Sequence, residues 1–312
     1  MTCNRIDHYV GAPLISVIIP VRNGELTLER CLNSIVKQSI SQYEIIVVDN
    51  SSNDSTPDIV RSFSSSDPRI VYRFEPRRGR GPARAEGIRV SRGSVLAWTD
   101  ADCEVPTDWL ERIIEPIMKS GEGVVQGNED LMQMGFWSNL AQDAGQRHYE
   151  GQILDPPYID HVDTKNFAIR KDILMEIGGF DRRLRALEDF ELKIRLKRSG
   201  YRTLFLRDLR VKHYHRETFF DLFRSRFEQG FWAAVIFYLH RDFFDSEKGR
   251  DNTIKSMYIK DVIMFPMHLA LFLLRYGPRK FFFEAITGYI WRLGNFKGRL
   301  LHRKILEERS NG

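Results

Sequence analysis

Residues 14–52, LISVIIPVRNGELTLERCLNSIVKQSISQYEIIVVDNSS, hold two continuous apolar runs with one amphipathic stretch between them. The runs LISVIIP and YEIIVV carry apolar residues on both faces, the pattern of strands covered on two sides in a parallel sheet. Between them Leu28, Cys31, Leu32, Ile35 and Val36 recur at helical spacing. A strand, a crossover helix and a second strand make a parallel unit. The alternation continues outward: RIVYRF reads as a strand, GPARAEGIRVSRG as a helix, SVLAW as a strand and TDWLERIIEPIMKSG as a helix. This order predicts an α/β domain with a Rossmann-like, doubly wound, mostly parallel sheet and helices on both faces. Ligands bind such sheets beyond the carboxyl ends of the strands. Asp49, Asn50, Asp100 and Asp102 lie at such ends.

The chain of 312 residues suits one large domain, or one domain with an appendage. With 42% hydrophobic and 29% charged residues it is globular in composition. A net charge of +5 is compatible with a nucleic acid, an anionic membrane or a phosphorylated substrate, and does not choose among them. No recognised nucleic-acid motif accompanies it. Three unpatterned cysteines, Cys3, Cys31 and Cys103, predict no disulfide framework and fit a reducing compartment. The first 13 residues lack a basic start followed by an apolar core, so no signal peptide is expected. No apolar run reaches the roughly 18 residues of a confident membrane span.

The segment WTDADCEVP, residues 98–106, ends a buried strand on two aspartates one residue apart. On an extended chain Asp100 and Asp102 face the same side, and their charges repel unless a cation faces them. A divalent metal is one resolution and a solvated turn the other. Cys103 is read as a small packed residue rather than a ligand. Further on, NFAIRKDILMEIGGFD predicts a strand, a short helix and a glycine turn. LEDFELKIRLKRSG predicts a helix stopped at Gly200, and YRTLFL a strand before VKHYHRE. Residues 130–160 are expected to hold a helix and acceptor-side loops.

Six pieces, SVIIPVRNGELTLERCLNSI, EIIVVDNSSNDST, GPARAEGI, LAWTDAD, NFAIRKDILMEIGGFD and LEDFELKIRL, stand in the order seen in inverting family-two glycosyltransferases of the GT-A fold. The resemblance covers about residues 14–215, which it implies are a catalytic domain, with residues 216–312 as a C-terminal helical extension. It implies hexosyl-type transfer from a nucleotide-sugar donor, with a UDP-sugar first among the candidates, and inversion at the anomeric carbon. It also implies Mn²⁺ or Mg²⁺, since a cation stabilises a diphosphate leaving group without proton transfer. Asp102 then matches the metal-binding aspartate and Asp100 the one near ribose and metal. His213 fits a further ligand after the base helix. Asp189 matches the general base, with Glu188 beside it. Pro20, Arg22 and Glu25 are candidates for lining base and ribose.

Two positions depart from the family pattern. Asp49 and Asn50 match a pair that is commonly Asp-Asp, whose second member accepts the N3 proton of uracil; the Asn50 carbonyl can still accept that bond. Ala85 replaces an asparagine after Arg84. Arg84 itself has two readings, contact with the nucleotide or pairing with a neighbouring carboxylate.

The tail combines the apolar run DVIMFPMHLALFLLRYG with aromatics and with Arg275, Arg279, Lys280, Arg292, Lys297, Arg299, Arg303 and Lys304. Apolar faces flanked by bases suit a helix lying in a membrane interface with anionic headgroups. The expectation is a peripheral protein at the cytoplasmic membrane face with a glycan or lipid-linked acceptor in polysaccharide synthesis. A packed helical subdomain or a dimer contact is the alternative for the tail. For the whole chain, the alternatives are a polyprenyl-phosphate sugar synthase and a non-catalytic nucleotide-sugar-binding protein.

Overall fold

A computed structural model describes residues 14–132, 152–153, 155–214, 219–247 and 286–305. Among these, residues 14–214 form one compact unit and those from 219 onward another. The apolar run at 262–274, His148 and His215 lie outside the described residues, as do most of the acceptor-side loops expected within 130–160.

The first unit is built on a nine-stranded sheet. Its amino-terminal half holds β1 (Ile15–Val21), β2 (Tyr43–Asp49), β3 (Ile70–Phe74) and β4 (Val95–Trp98), all parallel, in the order β3-β2-β1-β4. Beyond β4 lie β8 (Phe167–Arg170), β6 (Val124–Leu131), β9 (Thr203–His213) and β5 (Cys103–Glu104); β7 (Tyr158–Ile159) also pairs with β9. Antiparallel pairing enters at β8, which lies between β4 and β6.

Alternate strand residues feed two cores, because side chains on a strand alternate faces. Ile15, Val17 and Ile19 of β1 meet α1 (Leu28–Ile35), α2 (Thr56–Ser66) and α4 (Trp109–Ser120) on one face. Ile18, Ile46, Val48 and Trp98 meet α3 (Arg80–Val90), α5 (Lys171–Glu176) and α6 (Glu188–Arg198) on the other. The sheet is therefore covered on both sides, as the uninterrupted apolar runs require. Cys103 lies in the first core, as its small-residue reading anticipates.

Two contacts place the site. Gly81 in α3 comes so close to the loop before α6 that an added Cβ would stand 2.3 Å from the Asp181 carbonyl and 2.6 Å from that of Leu184. The Arg80 and Gly81 N–H groups donate to the Arg185 and Leu184 carbonyls at 3.1 Å, so the start of α3 and the approach to α6 are one joint. On the other side, β6 pairs in parallel with β9 until Gly127 meets Leu206, and resumes at Asn128 opposite Arg210. Buried Asn166 holds this irregularity. Its Nδ2 donates to the carbonyls of Asn128 and Leu209 at 2.8 Å, and its Oδ1 accepts from Trp109 Nε1 at 2.8 Å.

The second unit contains α7 (Phe219–Leu239), α8 (Arg241–Glu247) and a helix at 286–305, here α9. In α9 Gly294 lies against α7, where a Cβ would fall 2.0 Å from the Phe227 carbonyl. Asn295 donates to the Gly230 carbonyl at 3.2 Å, and Tyr238 stacks on His302 with ring centroids 3.7 Å apart. Tyr289, Leu293, Phe296 and Leu300 recur along α9 at spacings of three and four and are exposed, Phe296 by 64% and Leu300 by 68%. No helix among the described residues is long and apolar enough to cross a membrane.

Replacing Asn166 by Leu leaves a buried indole N–H and two buried carbonyls without partners, each a loss of about 1–3 kcal/mol. Urea unfolding of Asn166→Leu should show destabilisation of at least about 2 kcal/mol. Stability within about 0.5 kcal/mol of wild type would show that these bonds do not hold the β6–β9 irregularity.

Candidate active site

The loops that follow β1 and β2 are stitched together. Asn23 N–H donates to Ser52 Oγ and Gly24 N–H to Thr56 Oγ1, while Asn53 N–H donates to Asn23 Oδ1. Glu25 N–H donates to Asp54 Oδ2 at 3.1 Å, and Glu25 Oε2 accepts from Ser55 N–H at 3.3 Å. Pro20 lies in β1 opposite Val48, and Arg22 is exposed just beyond it. Buried Asp49 accepts from Ser52 N–H at 2.9 Å and from the Tyr72 hydroxyl at 2.9 Å. Burial, and then that bond to Asp49, push the Tyr72 hydroxyl up to about 12.

Asn50 uses its whole carboxamide on the loop that leads to α3. Nδ2 donates to the carbonyls of Glu75 and Arg77 at 3.1 and 2.7 Å, and Oδ1 accepts from Gly79 N–H at 2.7 Å. This accounts for the departure from an Asp-Asp pair: a carboxylate here would face two carbonyl oxygens with nothing to donate. Oδ1, which accepts from Gly79, has a second lone pair with which it can still accept.

Arg84, in α3, lies beneath the site with 2% of its side chain exposed. It donates to Asp100 Oδ1 at 3.1 Å through Nη2, and pairs through Nη1 with Glu188, which is 1% exposed. Of its two readings the geometry shows carboxylate pairing: the guanidinium lies buried on two carboxylates. Glu188 meets Arg84 through one carboxylate oxygen, Oε1. The neighbouring Asp189 is only partly buried, and its Oδ1 accepts from Phe190 N–H at 2.7 Å. Burial first, then the charges of Glu188 and Asp163, push its carboxyl up to about 7, against the pull of Arg84 and Arg80.

Asp102, 37% exposed, and His213, 9% exposed, meet where β5 pairs with the end of β9. His213 Nε2 stands 3.3 Å from Asp102 Oδ2, and Nδ1 stands 3.1 Å from Glu129 Oε2. Burial works against charge on the imidazole, but bonds to these two carboxylates hold it up at about 9. Desolvation, together with Asp102, raises Asp100 above the ordinary carboxylate range, while Arg84 opposes the rise. One ligand atom each from Asp102, Cys103 and His213 lies within 4.8 Å of the others. Burial holds the Cys103 thiol well above its ordinary value, and a thiol ligates as the thiolate. The Asp102 carboxylate and the His213 imidazole form a set that suits a divalent cation such as Mn²⁺.

Four further charged groups belong to this cluster and do not stand out in the sequence. Glu129, in GNED on β6, pairs with Lys165 at 3.3 Å, and Lys165 pairs with Asp163 at 2.7 Å. Arg80 opens α3 with part of its side chain exposed; desolvation by the surrounding site works against its charge, but Glu188, Asp100, Asp189 and Asp102 raise it. The signal available for Glu129 is the one that singles out Asp102, an acidic residue at the end of an apolar strand.

A sequence profile described as Glycosyl transferase family 2 matches residues 16–178. The chain belongs to this family. Glycosyltransferase AglE of Haloferax volcanii is 31% identical over 233 residues, covering 73% of this chain and 76% of AglE. Among solved structures, a mannosyltransferase from Pyrobaculum calidifontis in complex with GDP-Man and Mn²⁺ superposes with a TM-score of 0.59 at 18% identity, covering 97% of this chain and 76% of that one. GalNAc-T7 with UDP, GalNAc and Mn²⁺ superposes with a TM-score of 0.53 at 24% identity, covering 65% of this chain and 43% of that one. These likenesses show the GT-A-type fold. As a family 2 member the protein is a glycosyltransferase, built on a mixed α/β sheet with C-terminal helices.

Restoring the family's second aspartate tests the role of Asn50. Asn50→Asp removes two buried donations and sets a carboxylate against carbonyl oxygens, so thermal and urea unfolding should show a loss of about 2 kcal/mol or more. Unchanged stability would show that the loop does not depend on this carboxamide.

Proposed function

We propose that the protein transfers a sugar, with inversion, from a nucleoside-diphosphate sugar to a hydroxyl of a glycan or lipid-linked acceptor, with a divalent cation at Asp102 and His213. The observation that carries this reading is the presence of two unlike groups: Asp102 with His213 3.3 Å apart at the strand ends, and a partly exposed Asp189, pushed up to about 7, in the first turn of α6. Asp100 belongs to the cation side as well, and Arg84 orients it. A bound cation supplies charge stabilisation to the departing diphosphate. Mn²⁺ suits the imidazole better than Mg²⁺ does. The solved relatives bound to Mn²⁺ with GDP-Man or with UDP support a nucleotide-sugar donor.

In this reading the loops at Pro20, Arg22, Glu25 and Asp49 shape the nucleotide pocket, and their mutual bonds keep it open before the donor arrives. Asp189 takes the acceptor hydroxyl proton. A carboxylate near pKa 7 is a better base than an ordinary one while still ionised at neutral pH. Glu188 acts through Arg84 by holding the α6 start against β4. A phosphate acceptor, as in a polyprenyl-phosphate sugar synthase, needs no strong base, and an Asp189 tuned upward favours the hydroxyl acceptor over that alternative.

The base assignment is tested by Asp189→Asn. Single-turnover transfer should fall about 10²–10⁴-fold while donor binding is retained. The stability of the same variant checks the raised pKa. Between the ordinary value of 3.8 and about 7 the folded protein holds a proton that the unfolded chain lacks, so wild-type stability declines as pH rises through that window. Metal-free Asp189→Asn should therefore melt above wild type at pH 8, with the gain shrinking towards pH 5. Normal transfer, or a gain that does not depend on pH, would remove Asp189 from the role.

We also place α9 on an anionic membrane surface. Its exposed stripe of Tyr289, Leu293, Phe296 and Leu300 is interleaved with Arg292, Lys297, Arg299, Arg303 and Lys304, a composition that suits a headgroup layer. Full-length protein should float with anionic vesicles, and the double variant Phe296→Ser, Leu300→Ser should float far less. Equal flotation of the two, or none by either, would make α9 a packing or dimer element.

A further inference from the structure

We propose that Glu129, anchored by Lys165, is a positioning residue that sets the tautomer and tilt of His213, so that Nε2 is the nitrogen presented towards Asp102. The inference rests on the cation reading of the Asp102–His213 site. It begins with strand geometry. After the irregularity between Gly127 and Asn128, β6 and β9 run in register with Glu129 opposite Val211 and Leu131 opposite His213. Residues two apart on a strand share a face, so Glu129 and His213 are diagonal neighbours across the pair. The irregularity is what gives them this register.

The chemistry of the two ring nitrogens then follows. An ionised carboxylate can only accept, so the Nδ1 facing Glu129 at 3.1 Å carries a hydrogen. By the same rule Nε2, 3.3 Å from Asp102 Oδ2, also carries a hydrogen while no cation is bound; a cation on Asp102 would displace that one, while Glu129 would keep the hydrogen on Nδ1. Glu129 is in turn held by Lys165 Nζ at 3.3 Å, and Lys165 by Asp163 at 2.7 Å. Glu129 and Lys165 are 12% and 19% exposed, so the pair works largely out of water, where a fixed charge orients its neighbour strongly. A ligating histidine whose other nitrogen is bonded to a carboxylate is more basic and less free to rotate, and loss of such a partner weakens metal binding by about 10–100-fold. Glu129 touches neither donor nor acceptor and acts through His213 alone.

Three variants of the full chain test it: Glu129→Leu, which removes the acceptor; Glu129→Gln, which keeps an oxygen acceptor without the charge; and Lys165→Met, which removes the anchor. Mn²⁺ uptake in the presence of excess nucleoside diphosphate, read from the electron paramagnetic resonance of free Mn²⁺, should weaken about 10–100-fold in Glu129→Leu. Glu129→Gln should weaken less, because its amide oxygen still accepts from Nδ1. Long-range nitrogen–proton correlation spectra of His213, recorded at high pH in the metal-free Asp102→Ala background so that Glu129 is the carboxylate left on the ring, should show a single tautomer protonated at Nδ1, and a mixture once Glu129→Leu is added. A merely structural ion pair would change the melting temperature but not the tautomer. Wild-type Mn²⁺ affinity and an unchanged His213 spectrum in Glu129→Leu would overturn the proposal. Lys165→Met, which frees Glu129, should also weaken Mn²⁺ uptake; should Glu129→Leu not fold, wild-type Mn²⁺ affinity in both Glu129→Gln and Lys165→Met would overturn the proposal. If the wild-type chain takes up no Mn²⁺ at all, the cation reading fails on its own, and the histidine spectra alone decide whether Glu129 sets the tautomer.

Discussion

The site depends on one buried guanidinium. Arg84 joins Asp100, just past the end of β4, to Glu188, at the start of α6, and so fixes the distance between the aspartates of the sheet and that helix. The arrangement is stable only as a set. Loss of one partner from a buried ion pair leaves an unpaired charge in a poorly solvated place and costs about 3–5 kcal/mol. Charge-assisted bonds from a planar guanidinium also restrict direction, which a lysine at this position would not do. The joint between Gly81 and the Asp181 and Leu184 carbonyls brings α3 close enough for Arg84 to reach both carboxylates.

From that bridge the carboxylates acquire different roles. Glu188 and Asp100 share the Arg84 charge, but Asp189, one residue on, lies beside Glu188 and is pushed upward by burial and repulsion. Asp102 faces a histidine instead. Adjacent acidic residues thus differ because their neighbours differ, a recurring way of separating acid–base duties within one site.

Much of this is legible in the amino-acid sequence. The apolar runs at Ile15–Val21 and Tyr43–Asp49 announce strands buried on both faces, because no solvated face breaks them with polar residues. Asp100 and Asp102 stand out because two like charges at a strand end need a reason. The role of Arg84 is not legible: its burial depends on Glu188, 104 residues away, and local sequence carries no trace of that approach. Glu129 is hidden for the same reason, since its bond to His213 spans 84 residues. The two-residue strand β5 is too short to leave a pattern, yet it sets Cys103 opposite His213. Asn50 reads in sequence as a weakened base contact, whereas in the fold its carboxamide spans the loop to Gly79.

In our proposal Asp102 holds a cation to which the donor diphosphate binds. Isothermal titration of GDP and of UDP into the protein, with Mn²⁺ and with chelator, for wild type and Asp102→Ala, tests it most directly. Mn²⁺ should tighten binding of at least one diphosphate to the wild type, and Asp102→Ala should lose this dependence while keeping its melting temperature. Equal Mn²⁺ dependence in the two proteins, or none in either, would contradict it.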